Sequence, residues 1–278
     1  MLSYRHAFHA GNHGDLLKHL VLLGALDYFI ERGKDFVYID SHAGAGLYRL
    51  KANGEAQDGY LRLADRDDLP PLLAELVALQ RQQGPQHYAG SPLLVASRLA
   101  TLPRDGLRYW LRLFELHPSD RPILENSLKR FRLGRRLQLQ GSDGFAGLLA
   151  SLPPTPRRAL VLIDPSYELK TDYRTALHTL EEAQKRFATG CYLLWYPRLA
   201  RLEVAMLERQ LPKRFGTSYL HAQLQIGPPN ADGFGLWGSG VFVINPPYTL
   251  AERLRPELDY LARQLGNPGT ATLNVHLP

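Results

Sequence analysis

The chain has 278 residues, 45% of them hydrophobic, and carries 33 Lys and Arg against 27 Asp and Glu for a formal charge of +6. That composition excludes a disordered chain, and the single cysteine, Cys191, excludes an internal disulfide and points to a reducing, cytoplasmic compartment. No stretch reaches the ~20 apolar residues of a membrane span, no basic-then-apolar leader opens the chain, and the charge favours a polyanionic partner.

In chain order, the stretch to His13 mixes Tyr4, Arg5, His6, Phe8, His9 and Asn12 around Gly11, and reads as a loop over residues 1–14 that orders on binding. Asp15 is placed to cap a helix from Leu16 to Arg32, with Gly33 as its stop. Lys18 and His19 fall in its first turns, where a cation opposes the helix dipole, so an anionic ligand is expected beside them. The apolar run Phe36 to Ile39 ends in Asp40-Ser41-His42-Ala43-Gly44-Ala45-Gly46, a strand followed by a glycine turn that lets backbone amides approach a ligand. From Leu50 to Gly90 the texture changes, with Asn53-Gly54, Asp58-Gly59 and Pro70-Pro71 punctuating leucine-rich segments. This predicts a small helical subdomain, residues 50–90, inserted into a domain formed by residues 1–49 and 91–278. Ser91-Pro92 opens the next helix, Ser91 at its cap and Pro92 in its first turn.

Three further apolar segments lead to acids: Leu113 and Phe114 to Glu115, Leu137 to Leu139 towards Asp143-Gly144, and Leu160 to Ile163 into Asp164. With Asp40, that makes four strand ends of one polarity. An open parallel α/β sheet gathers such ends along its carboxyl edge, where ligands bind. A dinucleotide fingerprint places its ribose acid ~20 residues after the glycine turn, whereas Glu115 comes much later, so the extra residues mark the insertion. Past Tyr167 the pattern gives a helix Tyr173 to Phe187, a strand Cys191 to Tyr196, a helix Ala200 to Leu211, and strands Leu220 to Ile226 and Val241 to Ile244. The last two are too close for a parallel crossover and form a hairpin. The expected fold is α/β: a seven-stranded, mostly parallel Rossmann-like sheet with an antiparallel closing strand.

Asp164-Pro165-Ser166-Tyr167 carries the chemistry. An exocyclic amine on a flat ring is a poor nucleophile because its lone pair is delocalised, so an enzyme must grip both hydrogens and orient the nitrogen. The Asp164 carboxylate and the Pro165 carbonyl are acceptors for those hydrogens, and Tyr167 offers a face for the base. S-adenosylmethionine suits the remaining acids, because its ammonium, ribose diol and adenine amine are all donors. Asp40 with Gly44 and Gly46 suits the methionine end, Glu115 the diol and Asp143 the adenine.

The chain resembles the ribosomal RNA large subunit methyltransferase J family along essentially its whole length. The carriers are Leu2 to His6, His9 to Asp15, Lys18-His19, Asp40 to Gly46, Gly90 to Pro92, Glu115 to Asp120, Asp143-Gly144, Asp164 to Glu168, Trp195 to Pro197 and Asn245 to Pro247. The resemblance implies a class I methyltransferase that uses S-adenosylmethionine, needs no metal, and methylates the N6 amine of an adenine in protein-free 23S rRNA. It implies a cofactor site at Lys18, His19, His42, Ser91, Glu115, Asp143, Gly144 and Asp164, with Asp164 as catalytic acceptor. Tyr4, and with it His6, would grip the substrate. One position departs from the pattern: Ser166 stands where the family motif has proline, which removes a fixed φ and adds a backbone donor.

Competing readings are a DNA adenine or protein glutamine methyltransferase, and an RNA-binding factor with a vestigial cofactor fold. Asn245-Pro246-Pro247-Tyr248 matches an amine-methylating tetrapeptide better in text, but too few strands follow it; Asn245 is expected to end the last strand and to line the pocket. The histidines of the first 42 residues lack the spacing of a metal site, so none is expected. Basic clusters at Arg132, Arg135 and Arg136, at Arg157 and Arg158, at Lys185 and Arg186, and at Lys213 and Arg214 suggest a track for RNA phosphates. A monomer is expected.

Overall fold

The computed structural model describes residues 6–103, 106–229, 235–266 and 270–277. After a 3-10 turn at His6–Phe8, the chain enters α1 (His13–Glu31), followed by β1 (Phe36–Asp40) and β2 (Leu47–Arg49). Two 3-10 turns lead to α2 (Pro71–Arg81), β3 (His87–Ala89), α3 (Ser91–Ala100) and β4 (Tyr109–Phe114). Next come α4 (Asp120–Leu128), β5 (Leu137–Gln140), α5 (Gly144–Ala150), β6 (Ala159–Ile163) and α6 (Lys170–Arg186). The chain closes with β7 (Cys191–Arg198), α7 (Leu202–Arg214), β8 (Tyr219–Gln225), β9 (Gly238–Ile244), α8 (Leu250–Leu265) and β10 (Thr270–His276).

The main sheet has eight strands in the order β10-β8-β9-β7-β6-β1-β4-β5. β5, β4, β1, β6 and β7 are mutually parallel, and β9 runs antiparallel to both β7 and β8. The order reverses at β1, so the crevice between β1 and β6 is the switch point where a ligand is expected. The Rossmann-like expectation holds, with one correction: the sheet has eight strands and not seven, because β10 pairs antiparallel with β8 at the edge. Thr270 to His276 alternates small polar and apolar residues, a half-buried strand pattern.

The central strands β1 and β6 are buried throughout, and their alternate residues feed two cores. Leu160 and Leu162 pack with α1, α2, α3 and α8 on one face; Val161 and Ile163 pack with α5, α6 and α7 on the other. Helix α1 is apolar on nearly every side and therefore sits inside the first core rather than on its surface. Its cap is Asn12 and not Asp15: the Asn12 side chain accepts from the Asp15 amide, which leaves the Asp15 carboxylate inside the first turn for other work. Residues 50–90 contain α2 and two 3-10 turns, and β2 pairs with β3 to tie the ends of the segment together. Leu73 and Leu76 of α2 join the same core as α1.

Candidate active site

A cleft of about 430 Å³ opens at the carboxyl edge of the parallel strands and is lined by Glu115, Asp143 and Asp164 together. Three acids far apart in sequence thus share one rim, because each follows a parallel strand. Asp40, at the end of β1, lies directly beneath this edge but is fully buried and does not line the cleft. Its Oδ2 accepts from the Tyr38 hydroxyl at 2.7 Å and from Ser91 Oγ at 2.7 Å. Burial is the main reason its carboxyl is pushed up to about 6, against those two hydrogen bonds. Asp40 therefore braces Ser91, which does line the cleft, rather than meeting a ligand itself.

Glu115 is held from two sides. Its Oε2 accepts from the Gly44 amide at 2.7 Å and its Oε1 from the His117 amide at 2.6 Å, so the glycine turn after β1 is tied to the loop after β4. Burial raises its pKa, with the two amides opposing. Gly44 has a φ of +63°, and a Cβ there would meet the Tyr48 hydroxyl, so no other residue fits that turn. Gly144 is equally constrained, since a Cβ would run into the Ser41 carbonyl. Asp143 caps α5 by accepting from the Ala146 amide at 2.8 Å, and Phe145 sets its ring edge-on to His42 at 4.7 Å. Burial pulls the His42 pKa down to about 4, so this imidazole is neutral at physiological pH.

At the other end of the cleft, Lys18 is buried between two carboxylates, with Nζ 2.7 Å from Asp15 Oδ1 and 2.7 Å from Asp164 Oδ2. Burial works against its charge, but Asp15 and Asp164 together hold its pKa above the ordinary lysine value. The anion expected beside Lys18 is thus a pair of protein carboxylates. Asp15 also accepts from the Gly11 amide at 2.9 Å and pairs with His6 Nε2 at 2.8 Å. Burial opposes ionisation of Asp15, yet His6 and Lys18 bring its pKa well below the usual carboxylate range. The chain His6, Asp15, Lys18, Asp164 joins the N-terminal segment to the strand end of β6. The indole of Trp195 stands 5.4 Å from Lys18 Nζ and lines the same wall.

Several predicted residues are placed differently. His19 is fully buried behind the wall, its Nδ1 hydrogen-bonded with the Tyr88 hydroxyl at 2.9 Å; burial lowers its pKa to about 3. Tyr167, at φ +54°, is only 2% exposed and is absent from the cleft lining. Its hydroxyl donates to the Trp195 carbonyl at 2.7 Å and its ring packs 4.5 Å from Tyr173, so a base reaches that ring only if its cover moves. Pro165 and His6 line the cleft; Tyr4 lies outside the described residues. Asn245 neither ends the last strand nor lines the pocket. It ends the antiparallel β9, at the opposite edge of the sheet, where its Nδ2 donates to the Ala188 and Gly190 carbonyls, each at 2.8 Å. The four basic clusters also lie at that opposite edge, before β5 and β6 or at the ends of α6 and α7. Several have local work there: Arg158 and Arg186 donate to backbone carbonyls, and Arg214 pairs with Glu181.

Sequence reasoning missed Asp15, which holds Lys18, and Trp195, which lines the cleft, as parts of the site. Trp195 sits near the end of β7, so the strand-end rule that found the acids points to it once it is not limited to acids. The donor set fits S-adenosylmethionine: Glu115, Asp143 and Asp164 offer acceptors to a donor-rich ligand, while Phe145 and Trp195 offer flat apolar faces. Among the described residues no cluster of His, Cys, Asp or Glu has the arrangement of a metal site, and no helix is long and apolar enough to cross a membrane.

Comparison with known proteins agrees over the whole chain. A family model described as ribosomal RNA large subunit methyltransferase D, RlmJ, matches residues 33–276. The chain is 41% identical to ribosomal RNA large subunit methyltransferase J of Haemophilus influenzae and 40% identical to that of Escherichia coli, each match spanning 99% of this chain and 98% of the relative. The crystal structure of protein LPL1258 from Legionella pneumophila superposes with a TM-score of 0.86 at 30% identity, covering 97% of this chain and 100% of the other. Fold, cleft and sequence match meet in one assignment: the chain belongs to the ribosomal RNA large subunit methyltransferase J family.

Proposed function

We propose that this protein is an rRNA methyltransferase that transfers a methyl group from S-adenosylmethionine to the N6 amine of an adenine in 23S rRNA, acting as a cytoplasmic monomer on rRNA still free of ribosomal proteins. The observation that carries the reading is the position of Asp164, an acceptor at the switch-point edge of the sheet, held by Lys18 in the same cleft as Glu115 and Asp143. The membership of the family, whose named relatives are large-subunit rRNA methyltransferases, supports the RNA substrate. Residues 50–90 belong to the proposal as an insertion into the catalytic domain.

When bound, the cofactor supplies an electrophilic methyl group on a sulfonium. Glu115 holds the ribose diol and Asp143 the adenine end, while Gly44 and Gly144 keep the backbone close to the ligand. Lys18 occupies Asp164 Oδ2 and so leaves Oδ1 to accept an amine hydrogen from the substrate, with the Pro165 carbonyl as second acceptor. As the amine nitrogen pyramidalises and gains positive charge its acidity rises steeply, and Asp164 accepts the proton during or after transfer. His6 closes the N-terminal segment over the substrate.

Labelled methyl transfer to unmodified large-subunit rRNA, with duplex DNA and protein as rival substrates, tests this directly. Label confined to an adenine N6 of the rRNA is expected; label only in DNA or in a glutamine amide defeats the proposal, and calorimetry showing no cofactor binding favours a vestigial fold. Glu115→Gln is expected to weaken cofactor binding ~10–100-fold, since a hydrogen bond to a charged group contributes roughly 1.5–3 kcal/mol. An unchanged affinity in calorimetry would remove Glu115 from the cofactor site.

A further inference from the structure

The four basic clusters face away from the catalytic edge, so the groups that seat the RNA beside the cleft must come from elsewhere. A groove of about 520 Å³ runs between α6 and α7, and it begins where the catalytic loop ends. Leu169 lines the cleft and immediately precedes α6, whose first residue, Lys170, already lines the groove. Along α6 the groove is flanked by Lys170, Arg174 and His178, four positions apart and therefore on one helix face, and all three are exposed. Arg174 has no ion-pair partner among the described residues, and Lys170 reaches only Glu203, at 3.7 Å. Opposite them, α7 presents Met206, 40% exposed, after Leu202, 73% exposed at its first turn. The ion pair between Arg214 and Glu181 lies in the lining further along both helices.

Exposed apolar side chains share the catalytic edge with this groove. Leu116 and Leu169 stand at the cleft itself, Met206 lines the groove, and Leu202 is exposed in the first turn of α7. An unstacked base can lay its apolar face on aliphatic side chains such as these, whereas paired RNA offers mainly phosphates and ribose hydroxyls. A basic stripe on one helix and an apolar pad on the other give one surface for the two parts of a nucleotide.

We propose that the groove between α6 and α7 binds the unpaired RNA strand flanking the target adenine, with Lys170 and Arg174 on its phosphates and Leu202 and Met206 under its bases. This rests on the rRNA reading above and deepens it: the substrate is recognised as a single-stranded segment, with the strand continuing past the catalytic loop along α6.

The test is the double charge reversal Lys170→Glu with Arg174→Glu, two exposed positions outside the cleft. Binding of a fragment of unmodified large-subunit rRNA is followed by fluorescence anisotropy across a salt series, alongside methyl-transfer kinetics. The expected result is a KM for RNA raised about tenfold or more, and a slope of log affinity against log salt reduced by about 1.4, roughly 0.7 for each single-strand phosphate no longer neutralised. Cofactor affinity and kcat at saturating RNA stay as in the wild type. Wild-type affinity and salt slope in the double variant overturn the groove, as does a loss of affinity found instead in an Arg157→Glu variant at the opposite edge. A wild-type protein that binds the RNA through this groove but transfers no methyl group would defeat the catalytic reading and leave the groove standing, so the two failures are distinguishable.

Discussion

Asp164→Asn is expected to slow methyl transfer by ~10²–10⁴-fold, the range for loss of a positioned proton acceptor. The substitution keeps a similar shape but only one oxygen, which Lys18 holds, so an amide NH2 faces the substrate amine and the deficit falls on orienting the base as well as on the chemical step. What disappears is a carboxylate able to take the proton as the amine nitrogen becomes cationic. Single-turnover transfer at saturating cofactor and RNA isolates that step, and cofactor affinity by calorimetry shows whether the cleft is intact. The matched control is Asn245→Gly, which removes the side chain of the rival tetrapeptide while glycine tolerates the φ of +50° found there. At a temperature where both variants are folded, the control should turn over normally. A slow control beside an active Asp164→Asn enzyme would move catalysis to the opposite edge of the sheet.

Lys18→Met is expected to cost both activity and fold stability. Removing one partner from a buried ion pair typically destabilises by ~3–5 kcal/mol, because an uncompensated charge remains. Here two carboxylates, Asp15 and Asp164, lose the same cation at once. The pH dependence has a defined sign. Lys18, whose pKa is raised in the fold, contributes stability that is fully present below its unfolded value of about 10.4 and is lost as pH rises beyond it. Asp15, whose pKa is depressed, contributes stability present above about 3.9 and lost as pH falls below it. The stability difference between wild type and Lys18→Met is therefore full between about pH 4 and pH 10 and narrows on either side. Urea denaturation across that range measures it; a variant with the wild-type midpoint at pH 7 would show that the ion pairs do not hold the site.

The rim of acids is legible in the sequence because it depends on local order alone. An apolar run followed by an acid marks a strand end, and parallel strands put their ends on one edge whatever the rest of the chain does. Asn245 is set aside on the sequence for an incomplete reason, the number of strands that follow it, whereas the observed cause is direction: β9 is antiparallel and ends on the far side. The eighth strand escapes the pattern although Thr270 to His276 alternates as a strand should, because that short polar segment gives no sign of the long-range partner, β8, that makes it a strand. Asn12 displaces Asp15 as the helix cap because both residue types cap equally well, and only the pairing of Asp15 with His6 and Lys18 shows which carboxylate was needed elsewhere.

By itself the sequence determined the alternation of strands and helices, the glycine turn after β1 and the polarity of the edge that carries the cleft, all of which follow from patterns within a few residues. The tertiary structure alone decided which polar groups meet. Lys18 found Asp164 across 146 positions, and Glu115 found the Gly44 amide across 71. It also turned Asp40, His19 and Tyr167 into the protein and the arginine clusters away from the cleft. Those outcomes depend on long-range packing: burial favours whichever arrangement satisfies each charge and donor, and that choice is made among partners brought together only once the sheet has assembled.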